Sequence, residues 1–197
     1  MNFLAHIYLS FEDEEIAIGN FIADSIRGKN YKHLPPRIQK GVLLHRAIDT
    51  YTDAHPIHRK SSKRLHKHFS HYSRVIVDIF YDHFLAKNWA RYSQVPLELF
   101  VEGFYELLKA NFEIMPDGVK RMMPYMIADN WLYNYSRLEG IERVLNGMNR
   151  RTKNKSKMNF AIIDLKEHYD DFEKEFTSFF EELIIFSRQE FISLRDL

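Results

Sequence analysis

Three stretches of this chain set acids and histidines into otherwise apolar segments at one-turn helical spacing. They are Asn20/Asp24 in GNFIAD, His45/Asp49 in GVLLHRAID, and Asp78/Asp82 with His83 in VIVDIFYDHFLA. Residues i and i+4 share one face of a helix, so a segment that buries its apolar side tends to bury these groups as well. A buried carboxylate is costly unless a cation, a hydrogen bond or a proton relieves it. Three helices turned toward one interior with such groups point to a divalent metal site in a helical protein.

The rest of the chain agrees with an all-α fold. Hydrophobic residues make up 45% of the 197 and aromatics 15%, with only seven Gly and six Pro. That composition is globular and leans toward helix. Phe3, Leu4, Ile7 and Tyr8 fit a short opening helix. A second is expected from Glu12 to about Arg27, stopping near Gly28. A third starts at Pro36 and runs to about Asp53, broken by Ala54-His55-Pro56. A basic, histidine-rich helix follows over Ile57–Phe69. Residues 74–90 are apolar on nearly all sides and are expected at the centre of the fold. Further helices are predicted from Pro96 to about Met115, over Gly118–Met126, over 127–149 as one or two pieces, and over 161–192, with a loop at Arg150–Asn159. One helical-bundle domain spanning 1–197 is the expectation.

Several function classes drop out. Without cysteine there are no disulfides, thiolate nucleophiles or Cys-type zinc sites. Any metal is then held by imidazole and carboxylate, which suits Mn, Mg, Fe or Zn. The segment MNFLAHIYLSFEDEE does not read as a signal peptide, and no apolar run approaches a membrane span. The expected location is cytoplasmic, with no membrane partner. Net charge is only +1, and no nucleic-acid module is recognisable, which argues against nucleic-acid binding. The charge is nevertheless uneven. Residues 59–67 and 150–157 each carry five Lys/Arg and no acid, whereas 164–190 is acidic. Such blocks serve either as solvated faces or as a docking surface for an acidic partner.

His45 with Asp49, and Asp78 with Asp82, each lie one turn apart and can face inward together. Asp82 and His83 diverge by roughly 100°, and can share a site lying between their directions. His6 and Asp24 complete the candidates. A divalent ion there would lower the pKa of bound water and neutralise phosphoryl oxygens. Arg46, beside His45, is a candidate phosphate holder. Each group also has a structural reading. Asp78 can pair with Arg74, Asp53 can form a loop, Asn20 can bond backbone, and His66, His68 and His71 can face water.

The segments MNFLAHIYLS at the N-terminus, GNFIAD at 19–24, GVLLHRAIDTYTD at 41–53, VDIFYDHFLAKNW at 77–89, VLNGM at 144–148 and HYDDFEKEF at 168–176 resemble the acyl carrier protein phosphodiesterase family. The resemblance covers nearly the whole chain. It implies an all-helical fold distantly related to the HD phosphohydrolases. It also implies Mn-dependent hydrolysis (Mg or Fe being alternatives) of the phosphodiester that joins 4'-phosphopantetheine to a serine of holo-acyl carrier protein. Matching positions are His6, Asp24, His45, Asp49, Asp78, Asp82 and His83, with Asp24, His45, Asp82 and His83 expected nearest the metal. Asp24 is the expected proton acceptor or metal ligand, and Asp49 and Arg46 the other catalytic candidates. Asp82-His83 reverses the His-Asp order of the HD group, so that ligand list does not transfer directly. An acidic carrier protein as partner suggests docking at Arg59, Lys60, Lys63, Arg64 and Lys67. Two other readings stay open: a phosphohydrolase acting on another phosphoester, and a non-catalytic helical module that binds an acidic protein.

Overall fold

Apolar residues recurring every third or fourth position give eleven helices among residues 1–195, which the computed structural model describes. They are α1 (Phe3–Tyr8), α2 (Glu14–Ile22), α3 (Pro36–Ala54), α4 (Pro56–Phe69), α5 (Ser73–Lys87), α6 (Leu97–Ala110), α7 (Asp117–Ala128), α8 (Trp131–Asn134), α9 (Leu138–Arg151), α10 (Ala161–Glu167) and α11 (Tyr169–Arg195). The described residues contain no strand, so the fold is all-α as expected. None of these helices is long and apolar enough to cross a membrane.

Local chemistry sets several boundaries. The Asp13 carboxylate accepts from the Ile16 N–H at 3.1 Å and opens α2. Pro36 and Pro56 stand in the first turns of α3 and α4, where their fixed φ suits the helix and no N–H is missed. Three expected boundaries needed correction, one of them that of α6, which ends at Ala110 rather than near Met115 and is followed by a 3-10 turn over Phe112–Ile114. α2 stops at Ile22, and a tight 3-10 turn over Ala23–Ser25 replaces its last predicted turn. The predicted 161–192 helix is broken at His168. No Gly or Pro marks that break. Instead Tyr169 turns inward, its hydroxyl 2.8 Å from His83 Nε2 and its ring against Phe84.

The core is contiguous and centred on α5, which buries Ile76, Val77, Ile79, Phe80, Phe84 and Leu85 with their polar neighbours. α11, about 40 Å long at 1.5 Å per residue, lays Phe172, Phe176, Phe179, Phe180 and Leu183 across α3, α4 and α5. α1 lies between α2 and α5.

The tightest helix pair is α2 with α3, and it positions the site. A Cβ on Gly19 would lie 2.0 Å from the Ile38 carbonyl oxygen, and one on Gly41 would lie 2.3 Å from that of Ile16. Only glycine permits this backbone contact. Gly41→Ala is expected to force the helices apart and cost about 1–3 kcal/mol as overpacking. That corresponds to a fall in Tm of roughly 2–12 °C for a chain of this size. Thermal unfolding followed by circular dichroism checks it, and an unchanged Tm would mean that the contact relaxes without cost.

Candidate metal centre

α1 carries His6, α3 carries His45 and Asp49, and the 3-10 turn after α2 carries Asp24. One ligand atom from each of His6, His45 and Asp49 lies within 4.8 Å of the others. The imidazoles of His6 and His45 stack with centroids 4.0 Å apart. Asp49 reaches both, with Oδ1 3.2 Å from His6 Nε2 and Oδ2 3.0 Å from His45 Nε2. Asp24 adds a second carboxylate, Oδ1 3.2 Å from His45 Nε2, on a largely exposed side chain. The His6 contact is out of line for a hydrogen bond, so both its ring nitrogens are buried without a hydrogen-bond partner. A nitrogen lone pair left unpaired in the interior is costly, and a cation relieves it.

Asn20 organises this group from behind. Its Nδ2 donates to the His6 carbonyl at 2.7 Å and to Ser10 Oγ at 3.1 Å. Its own carbonyl accepts from His45 Nδ1 at 2.8 Å. With Nδ1 committed to the backbone, His45 presents Nε2 to the carboxylates, the arrangement that orients a metal-ligating histidine. Burial, together with the neighbouring His45 charge, holds His6 neutral, below its usual pKa. Burial opposes the charged form of His45 too, but Asp24 and Asp49 outweigh it and lift the ring to about 9. Burial acts to raise Asp49, yet the two histidines and the N-terminal ammonium hold it far below the usual carboxylate range. Two imidazoles and a carboxylate with the donor order already set form a group able to hold a divalent metal.

The other expected site residues are placed differently. Asp82 is fully buried, and both its oxygens accept backbone N–H groups at the start of α1, from Leu4 at 2.7 Å and Ala5 at 3.2 Å. Burial still raises its pKa to about 7. His83 uses Nδ1 on the Tyr135 carbonyl (2.7 Å) and Nε2 on the Tyr169 hydroxyl (2.8 Å). Neither joins the cluster. Asp78 stands beside it, its Oδ1 3.1 Å from the Met1 ammonium, which also lies 3.6 Å from Asp49 Oδ1. Arg46 is turned away. It donates to the Gly28 carbonyl at 2.7 Å and lies 5.1 Å from the Tyr31 ring, so it straps down the loop after Asp24 rather than facing a phosphate.

His58, absent from the sequence-derived set, is buried, with Nε2 3.0 Å from Asp78 Oδ1. The signal was available, because His58, Ser61, Ser62, Leu65 and Phe69 trace one buried face of α4. Arg74, offered as a partner for Asp78, pairs with Asp53 instead, at 3.3 Å.

Asp24, Asp49 and Asp78 line a cavity of about 1510 Å³, far larger than a phosphate group requires. α7 and α9 line it with Arg121, Arg143, Arg150 and Arg151, and with apolar side chains such as Val119, Met122 and Val144. Carboxylates and guanidinium groups thus line the walls of one cavity.

Residues 1–183 match the family model described as acyl carrier protein phosphodiesterase. Proteins named acyl carrier protein phosphodiesterase from Salmonella agona (strain SL483) and Salmonella newport (strain SL254) are each 33% identical over 184 residues, covering 91% of this chain and 94% of the relative. No solved structure matches it. With nearly its whole length matched by the model and by these relatives, the chain belongs to the acyl carrier protein phosphodiesterase family.

Proposed function

We propose that this protein hydrolyses the phosphodiester between 4'-phosphopantetheine and the carrier serine of holo-acyl carrier protein, with Mn held by His6, His45 and Asp49. The observation that carries the reading is the His6–His45–Asp49 cluster beside an arginine-lined cavity, in a chain of this family. A divalent ion there lowers the pKa of water and offsets charge developing on phosphoryl oxygens. His6 contributes a neutral, unpaired ring nitrogen. Asn20 keeps the His45 Nδ1 proton, and so keeps Nε2 turned toward Asp49. Asp24, exposed and bordering the cavity, accepts a proton from water or completes the ligand set. In the hydrolysis, water adds hydroxyl to phosphorus, the bond from phosphorus to the serine oxygen breaks, and the serine leaves protonated. The deciding experiment is mass spectrometry of holo-carrier incubated with the protein and Mn, with and without EDTA. A metal-dependent loss of the 4'-phosphopantetheine mass is expected. An intact carrier at confirmed metal loading overturns the substrate assignment.

His6→Ala, His45→Ala or Asp49→Ala is expected to weaken Mn binding by about 100-fold or more. Asn20→Ala, which keeps the backbone carbonyl on His45 and removes only the side-chain tie to His6 and Ser10, should weaken it by no more than roughly 10-fold, the low end for outer-shell partners. His83→Gln should keep the metal affinity and lose about 1–3 kcal/mol of stability, because it breaks buried hydrogen bonds. Calorimetric titration and melting curves separate these outcomes. A His83 variant that loses metal would restore that residue to the ligand set.

Without metal, the folded pKa of His45 (about 9) stands above its unfolded value of about 6.5. Its stabilising contribution is therefore complete below pH 6.5 and is lost as pH rises through about 9. The Tm of EDTA-treated protein should fall across that window, and that of His45→Gln should fall less. Because a metal displaces the same proton, Mn affinity should climb as pH rises toward 9. Parallel curves for wild type and variant would show that His45 is not charged in the metal-free protein.

A further inference from the structure

The second basic block of the sequence, 150–157, remains unexplained by the metal centre, and the structure puts it beside the cavity. Arg143 and Arg150 are seven residues apart on α9, about 10 Å along its axis, and so nearly on one face. Arg151 and, from α7, Arg121 line the same cavity. All four are exposed, and none has a carboxylate partner among the described residues. Gly147 lies between Arg143 and Arg150 in α9 and leaves that part of the face open.

The following loop continues the charge with Lys153, Lys155 and Lys157, all exposed. Its backbone is held in an unusual conformation, with positive φ at Lys153, Asn154 and Lys157. Each such non-glycine residue is strained, and surrounding contacts must hold it there. Here Asn149 Nδ2 donates to Asn154 Oδ1 at 3.0 Å, and Ser156 Oγ donates to Asn149 Oδ1 at 3.1 Å.

In the α4 block, by contrast, two of the five cations are tied to a carboxylate. Glu175 of α11 takes both Arg64 nitrogens, at 2.8 and 2.7 Å, and Lys60 at 3.1 Å. None of Arg59, Lys60, Lys63, Arg64 and Lys67 lines the cavity. A single phosphodiester carries one negative charge and needs one or two cations. Four unpaired arginines and a braced lysine loop, spread over 10 Å or more, match an extended acidic protein surface.

We infer that the arginine face of α7 and α9, continued by the Thr152–Lys157 loop, is the docking surface for the acidic carrier protein, and that α4 is not. This rests on the carrier-hydrolysis reading above. Arg143 and Arg150 act here on encounter and orientation, as specificity-determining rather than catalytic residues.

The test compares wild type, Arg143→Glu/Arg150→Glu, the loop variant Lys153→Glu/Lys155→Glu, and the α4 control Arg59→Glu/Lys63→Glu/Lys67→Glu, all Mn-loaded. Each is assayed at low and high salt on holo-carrier and on bis(p-nitrophenyl) phosphate, with melting curves to verify folding. For the first two variants, the ratio of carrier to small-ester kcat/KM should fall by about 10- to 100-fold. The loss should lie in KM and the salt dependence should flatten, while the α4 control keeps the wild-type ratio. An unchanged ratio in both variants overturns the docking assignment, as does an equal loss in the α4 control. Equal loss on the small ester also overturns it, by moving these arginines into the phosphate site. A wild type that cleaves the small ester and leaves the carrier intact overturns the substrate reading itself, and the docking surface with it.

Discussion

The backbone contact between α2 and α3 at Gly19 and Gly41 is the constraint on which the site depends. It puts Asn20, the next residue of α2, against the face of α3 that carries His45 one turn beyond Gly41. At that separation the Asn20 carbonyl can accept the His45 Nδ1 proton, and the tautomer of a ligand follows from how closely two helices cross. The early end of α2 serves the same geometry. The 3-10 turn over Ala23–Ser25 places Asp24 3.2 Å from His45 Nε2.

α1 has six residues, too few to hold together alone. Asp82 of α5 supplies the missing stabilisation by accepting its first free N–H groups, where a carboxylate also meets the positive end of the helix. Asn20 fastens the other end through the His6 carbonyl. The buried Asp82 carboxyl of α5 therefore acts one step behind the chemistry, positioning the helix that delivers His6.

Two basic stretches of equal charge end in different surroundings because of what packs opposite them. α11 crosses α4 and brings Glu175 to Lys60 and Arg64, with Ser61 bonding the same carboxylate. Arg143 and Arg150 have no carboxylate within ion-pair distance among the described residues. The carboxylates of α3 and α5 and the arginines of α7 and α9 thus remain apart on the walls of one cavity, each sign available to a ligand.

The helical fold was legible in the sequence because apolar periodicity is local. The starts of α2, α3 and α4 followed from Asp13, Pro36 and Pro56, whose chemistry acts within a turn. Among the polar residues of the three apolar segments, the burial of Asn20, His45, Asp82 and His83 followed from that same periodicity, whereas Asp24 stayed exposed. The sequence could not rank them. Asp82 and His83 look like ligands from their neighbours, but their hydrogen bonds run to Leu4, Ala5, Tyr135 and Tyr169, between 52 and 86 residues away. The break at His168, the turn of Arg46 toward Gly28 and the pairing of His58 with Asp78 are likewise decided by distant partners. Local sequence thus settles which helices carry acids and imidazoles and which chemistry these groups can supply. Which of them keep an unpaired lone pair depends on long-range packing, because a buried polar group is left available only where no other segment reaches it.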